Sequence, residues 1–139
     1  MPATKYSRQR EAIKNNILHR TDHPTADMVF SDIRRIYPNI SLGTVYRNLA
    51  LLCDHGEIRK ICTGDGIQHF DRDVSLHDHF VCRHCGCVAD MQLIDAFDLK
   101  EYVSTHFDGI IDSCQVMFYG ICRECSSKYS ESDNAAEIQ

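Results

Sequence analysis

Apolar positions recur at helical intervals through the first sixty residues. Residues 7–20, SRQREAIKNNILHR, set Ala12, Ile13 and Ile17 on one face behind Ser7, whose hydroxyl suits an N-cap, and predict a first helix. HPTADMVFSDIRRIYP predicts a second, with Thr25 as N-cap, Val29, Phe30, Ile33, Ile36 and Tyr37 at helical spacing, and Pro38 as the stop. After the turn PNI, Ser41 caps a third, LGTVYRNLALLCDHG, with Val45, Leu49 and Leu52 facing inward and Gly56 at its C-terminal cap. Two β-prone runs around GDG in EIRKICTGDGIQHFD then read as a hairpin. Three helices with a tight turn, followed by a hairpin, predict a winged helix-turn-helix.

Later the pattern changes. CVADMQ reads as a strand, residues 95–107 as an amphipathic stretch with Phe97, Tyr102, Val103 and His106, and IIDSCQVMFYGIC as a long β-prone run. The expected class is α+β: a winged-helix DNA-binding domain over residues 1–73, then a small α/β domain over residues 74–139 with a mobile tail, SSKYSESDNAAEIQ. Divided this way, 139 residues leave a second domain small enough to need a staple.

The net charge of -5 hides an asymmetry: residues 1–60 carry ten Lys/Arg against six Asp/Glu, and residues 61–139 five against fourteen. Only the first half suits phosphate. In a winged helix the third helix enters the major groove, where Ser41, Thr44, Tyr46, Arg47 and then Asn48 face the bases. Arg47 can fork onto guanine or meet phosphate, while Lys5, Arg8, Arg10 and Lys60 are candidates for backbone contacts.

No apolar run is long enough to span a bilayer, and the N-terminus is basic and polar rather than signal-like, so a cytoplasmic location with reduced thiols is expected. Eight cysteines there favour metal or redox chemistry over disulfides. Cys82-x-x-Cys85-Gly86 and Cys122-x-x-Cys125 match a closed tetrahedral zinc site. The zinc would pin the start of the first strand to the end of the last. A thioredoxin-type pair is the alternative, but neither CxxC opens a helix after a strand in a βαβ pattern. Cys53, Cys62, Cys87 and Cys114 are expected to be small buried residues.

HDHFVCRHCGCVAD also holds donors of another kind. In a strand His77 and His79 project to one face and can share an ion; Asp71 and Asp90 offer oxygens, and His23 a third nitrogen. Imidazole with carboxylate suits iron(II) or manganese(II). The same donors describe a non-haem iron(II) oxygenase, so an enzyme is one rival reading, and an unregulated zinc-stapled interaction module is another.

HPTAD, PNISLGTVYRNL, HFD, HDHFVCRHCG and FYGICREC, in that order and over nearly the whole chain, resemble the ferric uptake regulator (Fur) family of bacterial metal-dependent repressors. The resemblance implies a homodimer on double-stranded operator DNA, with no membrane partner and no enzymatic role. It also implies a C-terminal dimerisation domain, a Zn(2+) site of Cys82, Cys85, Cys122 and Cys125, and a regulatory Fe(2+) or Mn(2+) site at the hinge formed by His23, Asp71, His77, His79 and Asp90. Aspartate at position 90 resembles the peroxide-sensing PerR subgroup, which implies iron(II)-catalysed oxidation of a ligand histidine; glutamate, common in iron-sensing members, would imply iron sensing. A further peripheral site of the family is degraded: Asp78 is present, but Leu76, Phe97 and Cys114 stand where ligands are expected. The family also carries an additional helix before SRQR, of which only part is expected here.

Overall fold

In the computed structural model, which describes residues 7–91 and 99–129, the chain divides into two compact units, Met1–Ser75 and Leu76–Gln139. Lys5, Phe97 and most of the tail expected to be mobile lie outside the described residues.

The first unit contains α1 (Arg8–Leu18), α2 (Ala26–Ile33), α3 (Leu42–Asp54), β1 (Arg59–Cys62) and β2 (Gln68–Asp71). Each helix starts where its cap residue requires. Ser7, Thr25 and Ser41 accept hydrogen bonds from the backbone N–H of Arg10, Met28 and Thr44 at 3.3, 3.3 and 3.1 Å, satisfying donors that have no partner within the helix. Ile13 and Ile17 of α1, Val29 and Ile33 of α2, and Val45, Leu49 and Leu52 of α3 bury one continuous core, closed below by Ile58 and Phe70 from the hairpin region. Ile36 differs from the expectation. Helix α2 ends at Ile33, and the chain tightens into three-residue turns, Ile36 N–H to Ile33 O at 2.9 Å among them, so Ile36 swings outward and is 63% exposed. Gly56, at φ 71°, lets the chain leave α3, with Glu57 N–H closing on Leu52 O at 3.0 Å. The hairpin pairs Arg59 with Asp71 and Ile61 with His69; Asp65 fixes its turn by accepting from Ile67 N–H and Thr63 Oγ1 at 2.9 and 2.6 Å.

The second unit contains β3 (Asp78–Cys82), β4 (Val88–Met91), α4 (Leu99–Ser104), β5 (Met117–Gly120) and α5 (Arg123–Tyr129). The sheet order is β4-β3-β5, with β3 antiparallel to β4 and parallel to β5. One expectation changes here: of the long β-prone run only Met117–Gly120 forms a strand, which joins β3. No helix among the described residues is long and apolar enough to cross a membrane.

Candidate metal centres and nucleic-acid interface

The parallel pairing of β3 with β5 explains how two distant CxxC segments meet. Parallel neighbours end on the same side of a sheet, and Cys82 stands opposite Gly120. The turn after β3, carrying Cys85, and the segment after β5, carrying Cys122 and leading into α5 with Cys125, therefore emerge together. Gly86, at φ 78°, permits the first turn, which closes through Gly86 N–H to Cys82 O at 2.9 Å. The four sulfurs of Cys82, Cys85, Cys122 and Cys125 all lie within 4.8 Å of one another, and those of Cys85 and Cys122 are 3.8 Å apart. Ligands on a tetrahedron with zinc–sulfur bonds of about 2.3 Å are separated by about 3.8 Å, so the cluster has the dimensions of that ion.

Its electrostatics point the same way. Burial pushes the Cys82 thiol up, but the backbone N–H groups of Cys85, Cys122 and His84 outweigh it and bring the group down to about 6; the first two lie 3.4 and 3.3 Å from its sulfur. Cys122 is lowered chiefly by the Cys125 backbone N–H. Burial, together with the neighbouring sulfurs of Cys122, Cys85 and Cys82, pushes Cys125 up to about 12. Thiolates gathered this closely cannot all ionise without a counter-charge, and a divalent cation supplies one.

The remaining cysteines correct an expectation. Cys53 is half-buried against the helical core, but Cys62, Cys87 and Cys114 are exposed. Cys62 falls on the outward position of β1, where alternate residues face solvent, Cys87 lies in the turn before β4, and Cys114 precedes β5. Small size permitted burial, but strand parity and turn position decided against it. Burial, followed by the nearby sulfurs of Cys85 and Cys122, pushes Cys87 up to about 12.

Each unit contributes nitrogen and oxygen donors. In the first unit His23 Nε2 is 3.2 Å from Asp71 Oδ2, with both side chains 4% exposed. Asp71 Oδ1 is engaged separately, accepting from Asp73 N–H at 2.9 Å. His23 is the only non-glycine with positive φ among the described residues, at 52°, a conformation that costs about 1–3 kcal/mol and persists only where its surroundings hold it. Arg20 anchors the approach: Nε and Nη2 fork onto Asp22 at 2.9 and 2.7 Å, and Nη1 reaches Asp32 at 2.8 Å. His69 Nδ1 lies 2.8 Å from His23 O on the other side. Sequence reasoning missed His69 and Arg20. His69 stands in HFD, but nothing in its spacing marks it as a partner of a residue 46 positions earlier.

In the second unit the register assembles the donors. His79 pairs directly with Asp90 across β3 and β4, so the two share a face, and His77 shares it by alternation. Asp90 Oδ1 is 2.7 Å from His77 Nε2 and 3.4 Å from His79 Nε2; the two ring centroids are 4.3 Å apart, with the rings tilted by 52°. Donors at right angles on an ion with bonds of about 2.1 Å are about 3.0 Å apart, so separations of 2.7, 3.2 and 3.4 Å fit adjacent positions on a hard cation. Asp78, by contrast, is structural: its Oδ1 accepts from Val116 N–H at 3.1 Å, tying β3 to the segment before β5.

At the N-terminus of α3, Ser41 Oγ and Thr44 Oγ1 are 2.9 Å apart, and Arg47 donates to Thr44 Oγ1 at 3.0 Å. Tyr46 is 45% exposed, and Arg8 and Lys60 also face solvent, with Arg10 half-buried. Asn48 does not face outward as expected. It is buried, and its amide donates to Thr44 O at 2.9 Å, one helical turn back.

A family model described as the Ferric uptake regulator family matches residues 2–119. The chain is 31% identical over 120 residues to the peroxide-responsive repressor PerR of Staphylococcus aureus, covering 86% of this chain and 81% of that protein. It is also 31% identical to the Campylobacter jejuni peroxide stress regulator, with a TM-score of 0.68 over 84% of this chain and 88% of that one. The fold is shared with the Helicobacter pylori ferric uptake regulator Fur at a TM-score of 0.78 and 24% identity, over 88% of this chain and 82% of that one. With a winged helix ahead of a sulfur cluster and a match spanning most of its length, this chain belongs to the ferric uptake regulator family.

Proposed function

We propose that the chain is a metal-dependent repressor that binds operator DNA as a homodimer and responds to peroxide through oxidation of a ligand histidine. The observation that carries this reading is the coexistence, in a winged-helix chain, of an all-sulfur cluster and imidazole–carboxylate donors in each unit. The two kinds of donor have different tasks. Cys82, Cys85, Cys122 and Cys125 fill every position of a tetrahedral zinc ion and hold β3 to α5, which is structural chemistry. His23 with Asp71, and His77, His79 and Asp90, are imidazole and carboxylate donors of the kind iron(II) and manganese(II) take, and each set by itself would leave coordination positions open. In this proposal all five serve one ion.

Donors drawn from both units make the site sensitive to conformation. Losing one ligand weakens the set, and the ion stabilises only those states in which the five donors converge. That difference is what shifts a population toward the DNA-binding state. Ser41, Thr44, Tyr46 and Arg47 then present the base-reading face, and Arg8, Arg10 and Lys60 meet phosphate. Bound iron(II) supplies the one-electron chemistry by which peroxide oxidises a ligand imidazole, here that of His23 or His77. Asp90 contacts both histidines of its unit, so its carboxylate orients them together.

The test is mass spectrometry of the iron-loaded protein after peroxide treatment. A gain of one oxygen atom on a peptide containing His23 or His77 is expected, with none in the manganese-loaded protein. Unmodified peptides in both would leave a metal-responsive repressor without peroxide chemistry. Duplex retardation that is indifferent to iron(II) and manganese(II) would remove the metal dependence itself.

A further inference from the structure

The segment that presents His23 is stitched to β2 at three successive residues. His69 Nδ1 meets His23 O at 2.8 Å, Phe70 N–H donates to Pro24 O at 2.9 Å, and Thr25 forms an isolated bridge with His69. His69 is only 8% exposed although it belongs to the wing hairpin, where it pairs with Ile61. Two residues further along the same strand, Asp71 Oδ2 lies 3.2 Å from His23 Nε2. Residues 69 and 71 share one face of a strand. One face of β2 therefore contacts His23 twice, at its backbone through His69 and at its ring through Asp71.

We propose that His69 is a positioning residue for His23, holding its positive-φ backbone so that the imidazole is aimed at the regulatory ion before the ion arrives. This rests on His23 being a ligand, as proposed above. A carbonyl oxygen can only accept, so His69 Nδ1 must carry the proton. The bond acts on the residue whose backbone most needs it: φ of 52° is unfavourable for a histidine, and release of its carbonyl lets residue 23 relax and turns the ring away. Because His69 sits in the wing, the same contact ties the wing hairpin to the ligand, so ordering of one favours ordering of the other.

Three substitutions separate this role from simple packing. Asn places an amide N–H where Nδ1 stands; Gln moves it one bond outward; Phe keeps the ring and removes the donor. With manganese(II) titrated into the zinc-loaded protein, His69→Asn should bind within about threefold of the parent, whereas His69→Gln and His69→Phe should weaken by about 10–100-fold, the usual cost of losing a group that orients a ligand. Zinc content and melting temperature should be alike in the Asn and Phe variants. Equal manganese affinity in Asn and Phe would overturn the proposal. His23→Ala is the control: if it leaves manganese affinity unchanged, the ligand assignment has failed, whereas loss in His23→Ala with none in His69→Phe refutes only the role of His69. Should the Phe variant not fold, nitrogen NMR of the imidazoles in the parent decides. A protonated His69 Nδ1 is expected, and a proton on Nε2 with Nδ1 bare overturns the proposal.

Discussion

At the scale of single residues, the side chains that start helices follow from local chemistry. Ser7, Thr25 and Ser41 each precede an apolar period and each caps. Residues whose role depends on a distant partner could not be read so. Arg20 and Asp22 are an ordinary pair of charges in the sequence; only the fold shows Arg20 clasping Asp22 and Asp32 just before His23. The Arg20 hydrogen bond holds the Asp22 carboxyl below its ordinary value of 3.8. A carboxyl lowered in the folded state adds stability above its unfolded pKa, and that stability is lost as pH falls through the folded value. Arg20→Gln should therefore destabilise the protein at pH 6, and its deficit against the parent should shrink as pH drops below about 4. Asp22 is half-exposed, so the deficit should be under about 1 kcal/mol. Urea midpoints of the two proteins at both pH values measure it; a deficit that grows toward acid pH would assign the stabilisation to something other than this ion pair.

Whole elements were legible where their pattern was local. The three helices and the hairpin answer to periodicity, caps and a GDG turn within stretches of fifteen residues or so. The parallel pairing of β3 with β5 does not, because its partners are almost forty positions apart and the intervening chain has no fixed length rule. The CxxC pairs announced that the first and last strands meet at one end without giving the direction or register of the pairing. This arrangement makes the sulfur cluster a clamp on the sheet. Cys125→Ser should lose zinc and release the β3–β5 pairing, while the first unit, which has its own core from Ile13 to Phe70, stays folded. Hydrogen exchange should show protection lost at Val81 and Phe118 and retained at Val45 and Leu49. Loss in both units together would mean that zinc supports a single cooperative structure.

At the scale of the whole molecule, charge and metal divide the work. The basic first half suits phosphate, and the acidic second half does not. Fur-family regulators bind operator DNA, typically as dimers. The second unit leaves Tyr102, Phe107 and Ile110 exposed, Ile110 by 90%. If the regulatory ion and DNA favour the same conformation, each must raise the affinity of the other by one factor, because the two routes to the ternary complex share their end states. Couplings of this kind usually span about 5–150-fold. The manganese-loaded protein should bind an operator duplex more tightly than the protein carrying zinc alone. Manganese(II) should then bind the protein–duplex complex more tightly than free protein by the same ratio, measured at one salt concentration because phosphate contacts are salt-dependent. His79→Ala should collapse both ratios toward one while leaving the four-cysteine zinc in place. A tighter DNA complex with no reciprocal gain in manganese affinity would break the cycle, and would mean that manganese acts on the duplex or on assembly rather than through a state the two ligands share.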